Sequence, residues 1–337
     1  VKILYAIQGT GNGHLSRAKE ILPALLNRAA QVDILVSGTQ AEVVLPYHIN
    51  YKYKGLGFYF GKNGGVDIFK TLKNNNLFRV FKEIYNCPVS EYDLVINDFE
   101  PITAWACSLK GVKCISLSHQ GALYMKNVPK PAHFDIIGRF FIKNYASSKL
   151  KYGFHFKKYN ENIYTPIIRS DIRAIKRSEK DHYTVYLPSY SDEKLIDVLS
   201  KIKDVKWKVF SKQAKKYYQK KNVYIRPIDS KKFEKSLASC KGILCGAGFE
   251  TPAEAIYLKK KLMVIPMKNQ YEQHFNAKAL EEIGVPVLKS LKKKHISIIQ
   301  NWIANGEKVL LDFPDETQQI IDQILYDFIV EEVFILN

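Results

Sequence analysis

No uncharged apolar run in this sequence approaches the ~18–20 residues of a membrane-spanning helix, so no such span is expected. Cysteine is scarce and lacks a pairing pattern. Cys87, Cys107, Cys114, Cys240 and Cys245 are odd in number, and no two of them form a Cys-x-x-Cys unit. Disulfide frameworks and zinc ribbons are not expected from that pattern, which fits a reduced, cytoplasmic protein. The glycines near the N-terminus are not followed by Gly-Lys-Ser/Thr, which excludes a P-loop. Acid is also in short supply: 33 Asp and Glu against 51 Lys and Arg, a formal net charge of +18.

The excess charge is spread over both halves, with 21 basic against 11 acidic residues up to Thr165 and 30 against 22 beyond it. It is densest between Lys110 and Tyr159, where ten basic residues accompany one acid, Asp135. The same stretch carries Phe134, Phe140, Phe141, Tyr145, Tyr152, Phe154, Phe156 and Tyr159. Basic side chains mixed with aromatics suit an anionic membrane surface at the inner face of the plasma membrane, a phosphorylated acceptor or nucleic acid. A lysine-rich solvated surface has the same composition, and both readings stay open here.

At 337 residues, with 46% hydrophobic and 25% charged side chains, the chain has the length of two domains and the make-up of a globular protein. Strand-like and helix-like segments alternate, which predicts an α/β protein with parallel sheets covered by helices. Strands are expected at Lys2–Ile7, Gln31–Val36, Asp93–Ile96 and Lys113–Ser118, with a helix over Ser16–Arg28. A loop-rich insertion, "YKGLGFYFGKNGGVDIFKTLKNNN", separates the second strand from the third. After a polar, proline-punctuated stretch the alternation resumes. Strands are expected at Tyr183–Leu187, Trp207–Phe210, Val223–Ile225, Gly242–Cys245 and Leu262–Ile265, with helices at Lys194–Lys201, Lys231–Ser239 and Thr251–Tyr257. The expected organisation is two Rossmann-like domains, 1–160 and 176–315, facing a central cleft. A linker spans 161–175, and a long amphipathic helix over 316–337 crosses back to the first domain.

Two stretches carry chemistry. The first is "AIQGTGNGHLSRAKEIL". Its glycines, Gly9, Gly11 and Gly13, make a poor dinucleotide fingerprint, because the second strand ends in Ser37 and Gly38 where an acid would hold a ribose. The histidine after them is the informative residue. His14 stands at a helix start on the C-terminal edge of the sheet, where open α/β sheets bind ligands. The strand in "VINDFEPITAWA" ends at the same edge with Asp98, placed to orient a histidine base and stabilise its imidazolium. Glu100 is an alternative partner or acceptor-side acid, or else a helix N-terminal acid with Pro101 in the first turn. His119, in "SLSHQG", is either an acceptor contact or a structural histidine.

The second stretch is "LCGAGFETPAEAIYLKKKLMVIPMKNQYEQHFNAKALEEIGVPV". Gly246, Ala247 and Gly248 form a turn after a strand, and Thr251 and Pro252 open a helix whose free N–H groups suit an anion. Glu254 follows about one turn later, within reach of ribose hydroxyls. Amides and acids in "NQYEQHFNA" suit a hydroxyl-rich ligand.

This second stretch resembles the donor-binding signature of sugar-nucleotide glycosyltransferases of the two-Rossmann, GT-B-like type. It is similar to both the plant-type UDP-glycosyltransferases and the peptidoglycan N-acetylglucosaminyltransferases. The residues that carry the likeness are Gly248, Glu254, Pro266, Gln270, Gln273, Asn276 and Ala277, joined in the first domain by His14 and by Asp98, Phe99 and Trp105. The chain looks closest to a bacterial and archaeal group with the pattern Gln-x-Glu-Gln-x-x-Asn-Ala. The resemblance implies an inverting transferase that moves a hexose or N-acetylhexosamine from a UDP-sugar to an acceptor hydroxyl, lipid-linked in the favoured version. His14 would be the base and Asp98 its partner. Gly11, Asn12 and Gly13 would face the donor, and Gly246 to Thr251, including Phe249 and Glu250, would cradle its diphosphate. Glu254 would hold the ribose, the backbone near Ile228 the base, and Gln270, Glu272 and Gln273 the sugar hydroxyls. With no Asp-x-Asp in the chain, neither metal nor cofactor is expected. Two positions depart from the plant-type pattern: its histidine is Gly246 here and its asparagine is Glu250, an acid beside the expected phosphates. An epimerase of the same fold is the first rival reading. A basic nucleic-acid-binding protein is the second, although it leaves the amide cluster and the two strand-turn-helix sites unexplained.

Overall fold

The computed structural model describes residues 1–38, 44–56, 76–131, 143–268 and 270–335. Strand β1 (Lys2–Gln8) is apolar on both faces from Ile3 to Ile7 and is buried there, as the central strand of a parallel sheet must be. Helix α1 (Asn12–Leu26) follows, then β2 (Gln31–Ser37), β3 (Tyr51–Tyr53), α2 (Leu77–Asn86), β4 (Leu94–Asp98), α3 (Pro101–Lys110), β5 (Cys114–Ser118), the short α4 (His119–Ala122), β6 (Leu150–Phe154) and β7 (Ile163–Tyr164). The seven strands lie in the order β3-β2-β1-β4-β5-β6-β7, and every neighbouring pair is parallel. Because β7 pairs with β6, the first sheet continues into the stretch read from sequence as linker.

Helix α5 (Ser170–Ala174) leads to β8 (Tyr183–Tyr186), α6 (Asp192–Leu199), β9 (Trp207–Ser211), β10 (Tyr218–Lys220), β11 (Val223–Pro227), α7 (Ser230–Ser239), β12 (Gly242–Gly246), α8 (Glu250–Tyr257), β13 (Lys261–Ile265), α9 (Tyr271–Glu282), α10 (Ile296–Asn305) and α11 (Thr317–Ile335). This sheet has the order β10-β11-β9-β8-β12-β13 and is parallel except at β10. The alternation in the sequence therefore predicts the architecture correctly: α/β, two parallel-dominated sheets and a long C-terminal helix. Among the parallel strands of each sheet the order reverses once, between β1 and β4 and between β8 and β12. Ligands collect at the carboxyl ends of strands at such reversals.

The domains share one apolar core, in which Ile21, Phe154 and Phe156 of the first meet Phe249, Ala253 and Ile256 of the second. Helix α11 returns to the first domain. Its Ile320, Ile321 and Ile324 join that core, Asp322 accepts from Arg28 at the end of α1, and Asp327 accepts from Tyr152 of β6.

Two sequence expectations need comment. The insertion from Tyr53 to Asn76 lies mostly outside the described residues, as do Phe134, Phe140 and Phe141. Tyr145, Tyr152, Phe154 and Phe156 are buried, because β6 is an inner strand and the residues around it fill the core. They cannot form the aromatic part of a basic surface.

Candidate active site

The chain leaves β1 through Gly9, Thr10 and Gly11. Gly11 has φ +98°, where side chains are disfavoured, and it turns the backbone so that α1 starts at Asn12. The helix thus begins earlier than its apolar periodicity indicates, and His14 lies in its first turn. On the neighbouring strand Asp98 ends β4, fully buried and paired in register with Ile7. His14 Nδ1 lies 2.8 Å from Asp98 Oδ1. An ionised carboxylate can only accept, so Nδ1 donates to it, and in the neutral ring Nε2 holds a lone pair on the far side; Arg17 Nη2 also lies 3.2 Å from Nδ1. Phe99, held in a left-handed conformation at φ 56°, lays its ring parallel to the imidazole with centroids 6.4 Å apart.

Arg17 completes the cluster, and sequence reasoning passed over it. One turn beyond His14, it donates from Nη2 to Asp98 Oδ1 at 2.7 Å and Oδ2 at 2.9 Å, and from Nε to Oδ2 at 3.2 Å. Burial acts to raise the Asp98 carboxyl, but the charges of Arg17 and His14 and their hydrogen bonds hold it below its usual range. The signal available in the sequence was the i, i+3 spacing, which puts Arg17 and His14 on one helix face. The remaining guanidinium nitrogen, Nη1, reaches across the cleft to Glu250 Oε1 at 2.8 Å.

Glu250 is the first residue of α8, after the turn Gly246-Ala247-Gly248. Ala247 is fully buried, Thr251 is half-buried, and no side-chain hydrogen bond caps the start of α8. Glu250 Cγ packs 3.2 Å from where a side-chain carbon on Gly13 would stand, which is the close approach that glycine permits. Phe249 is buried against His119.

Glu254 lies one turn into α8 but is sealed in, its Oε1 accepting from Arg169 Nε at 2.7 Å while Arg169 Nη1 also binds Glu234. Gln273 binds Gln270 Oε1 at 2.8 Å and accepts from Met267 N–H, so these two amides brace the turn before α9. Glu272 accepts from Gln120 Nε2 at 3.1 Å, and the same nitrogen lies 3.5 Å from His14 Nε2. Gln120, a second residue missed from sequence, thus links the histidine to the second domain. Ile228 is half-buried just beyond β11, and Gly11 and Asn12 are exposed at the mouth of the loop.

Two acceptor-side expectations are corrected. Glu100 is fully buried as the N-cap of α3, accepting from Ile102 N–H at 2.8 Å, Thr103 N–H at 2.6 Å and Ser37 Oγ at 2.6 Å. A carboxylate consumed by its own helix offers nothing to an acceptor. His119 is also buried, with Nδ1 2.8 Å from Phe154 O within the first domain and Nε2 2.7 Å from Asn276 Oδ1 across the joint between domains, so both nitrogens are occupied.

Two α/β domains with a histidine–carboxylate pair on one side of the cleft and a strand-turn-helix unit on the other are arranged as in a GT-B glycosyltransferase. Residues 1–305 match the family described as Glycosyl transferase family 1, and the chain belongs to it. Comparison with curated protein sequences returns no match. Solved structures share the fold across nearly the whole chain. MurG of Acinetobacter baumannii has 16% identity and a TM-score of 0.58, over 97% of this chain and 100% of that one. UGT2 of Phytolacca americana, solved with UDP-2fluoro-glucose and pterostilbene, has 13% identity and a TM-score of 0.60, over 96% and 93%. SnogD of Streptomyces nogalater has 13% identity and a TM-score of 0.51, over 97% and 99%.

Proposed function

We propose that this glycosyltransferase moves a hexose or N-acetylhexosamine from a UDP-sugar to an acceptor hydroxyl, with inversion and without a metal. The observation that carries the proposal is the 2.8 Å contact between His14 Nδ1 and the buried Asp98. The acceptor hydroxyl gives its proton to His14 Nε2 as its oxygen attacks the anomeric carbon. The bond from that carbon to the diphosphate breaks, and Asp98 stabilises the imidazolium. The first-turn N–H groups of α8 and Thr251 take up the charge on the departing diphosphate, the part a metal ion plays elsewhere. Glu272, which accepts from Gln120, would read sugar hydroxyls.

The neighbour solved with UDP-2fluoro-glucose supports a nucleotide-sugar donor. Calorimetric titration of metal-free protein with UDP, GDP and TDP tests it. Micromolar binding of one of them, weakened in Thr251→Val, is expected, and no binding of any would sink the donor reading.

A lipid-linked acceptor met at an anionic membrane surface, in assembly of a cell-envelope glycoconjugate, is the acceptor class we favour. Helix α2 supports it by exposing Phe78, Phe81 and Tyr85 on one face and Lys82 beside them, and α3, which packs against α2, exposes Trp105 and Leu109. No helix among the described residues is long and apolar enough to cross a membrane, so contact through these helices would be peripheral. Cosedimentation with phosphatidylglycerol vesicles, lost in Phe78→Glu/Phe81→Glu, is the expected result. Equal recovery of wild type and variant with those vesicles would remove the surface from the proposal.

A further inference from the structure

Arg17 has two edges in different surroundings. Nε and Nη2 are committed to the buried Asp98, whereas Nη1 points out of that pair at the first residue of α8 and meets Glu250 at 2.8 Å. The arginine is almost fully buried at 2% side-chain exposure, and Glu250 retains 26%. The carboxylate occupies the first turn of α8. The start of an uncapped helix favours an anion, but here the anion comes from the chain itself and is held by a guanidinium from the opposite domain.

We propose that Arg17 is a diphosphate-binding residue supplied across the cleft, and that Glu250 is an intramolecular anion competing with the donor for it. This rests on the nucleotide-sugar reading above. Carboxylate and phosphate present the same paired oxygens to arginine, so one can replace the other at Nη1. The charge balance favours exchange. One guanidinium already faces two carboxylates, and a diphosphate arriving at the N-terminus of α8 would stand against Glu250 at close range. Glu250 must swing towards solvent or take up a proton. Every charged neighbour bears on that choice: Arg17 from α1, Asp98 from β4, Glu254 one turn on in α8, and Arg169 from the segment before α5. Loss of solvent, together with Glu254 and Asp98, outweighs the two arginines and raises the Glu250 carboxyl to about 7. The proton is therefore available near neutrality. The packing of Glu250 on Gly13 means that its departure would also open the glycine loop. The same exchange would bring the donor's diphosphate onto the residue that fixes Asp98, linking donor binding to the base.

The test is calorimetric titration of UDP, and separately of inorganic pyrophosphate, into wild type, Glu250→Gln and Arg17→Lys without metal. Glu250→Gln keeps the shape and removes the competing charge. It is expected to bind UDP about tenfold more tightly than wild type near pH 8.5 and within about twofold near pH 5.5, and the ratio cancels the ionisation of UDP itself. Wild type is expected to take up a proton with UDP near pH 8, read from buffers of different ionisation enthalpy, and the variant is not. Arg17→Lys is expected to bind pyrophosphate about tenfold more weakly; should it fail to fold, Glu250→Gln carries the test alone. If UDP binds wild type and Glu250→Gln equally at every pH, the competition is overturned while the donor reading stands. If neither UDP nor pyrophosphate binds either protein, both fall.

Discussion

The imidazole of His119 lies flat against the ring of Phe249, with centroids 3.8 Å apart and planes 7° apart. One ring follows β5 of the first sheet and the other precedes α8 of the second, so this stack is a main fixed point between the domains. Its position, directly before the residue that pairs with Arg17, means that the packing of the joint also sets where α8 begins.

Phe249→Ala should therefore loosen the joint. Loss of a buried phenyl ring costs about 3 kcal/mol, read as a lower midpoint in urea. Because the ring serves both domains, the single transition is expected to separate into two. An unchanged midpoint would show that the stack contributes little.

His14→Ala should lower turnover by about 10²-fold or more and leave UDP affinity nearly unchanged, since the residue acts on the acceptor side. A loss of affinity equal to the loss of rate would instead make His14 a donor ligand.

Asp98→Asn should destabilise the protein by about 3 kcal/mol, because it leaves the Arg17 guanidinium buried beside a neutral amide. The folded-state carboxyl of Asp98 lies below its unfolded value, so its contribution is present above the ordinary aspartate range and is lost as pH falls through the depressed folded value. Part of the acid-induced loss of stability should be missing in the variant, as measured by denaturant midpoints from neutral pH down to about pH 3.

Glu100→Ala should cost about 1–2 kcal/mol through loss of the α3 cap, with no selective change in nucleotide binding. A variant with unchanged stability but impaired transfer would return Glu100 to the acceptor side.

The outline of the fold could be read in the sequence because inner strands such as β1, β4 and β12 are short apolar runs closed by glycine or an acid. The same logic put His14 and Asp98 at one sheet edge, since adjacent parallel strands end side by side. Residues whose roles depend on docking one domain against the other could not be read this way. Arg17 looks like any helix arginine until Glu250 is brought to it from more than two hundred positions away. For Glu100 the sequence left a cleft acid and a helix N-terminal acid both open, and the hydrogen bonds of its oxygens to Ile102 and Thr103 N–H select the second. The aromatics around β6 misled for a related reason: composition does not distinguish a ring facing solvent from one facing the core.

Helix α11 has a consequence for how the molecule is made. It is the last described segment of the chain, yet it packs on α1 and β6, among the first and middle segments of the domain synthesised first. While the chain is still emerging from the ribosome, α1 lacks the cover that Ile320, Ile321 and Ile324 will provide. The core of the first domain is thus completed only after the second domain has been made.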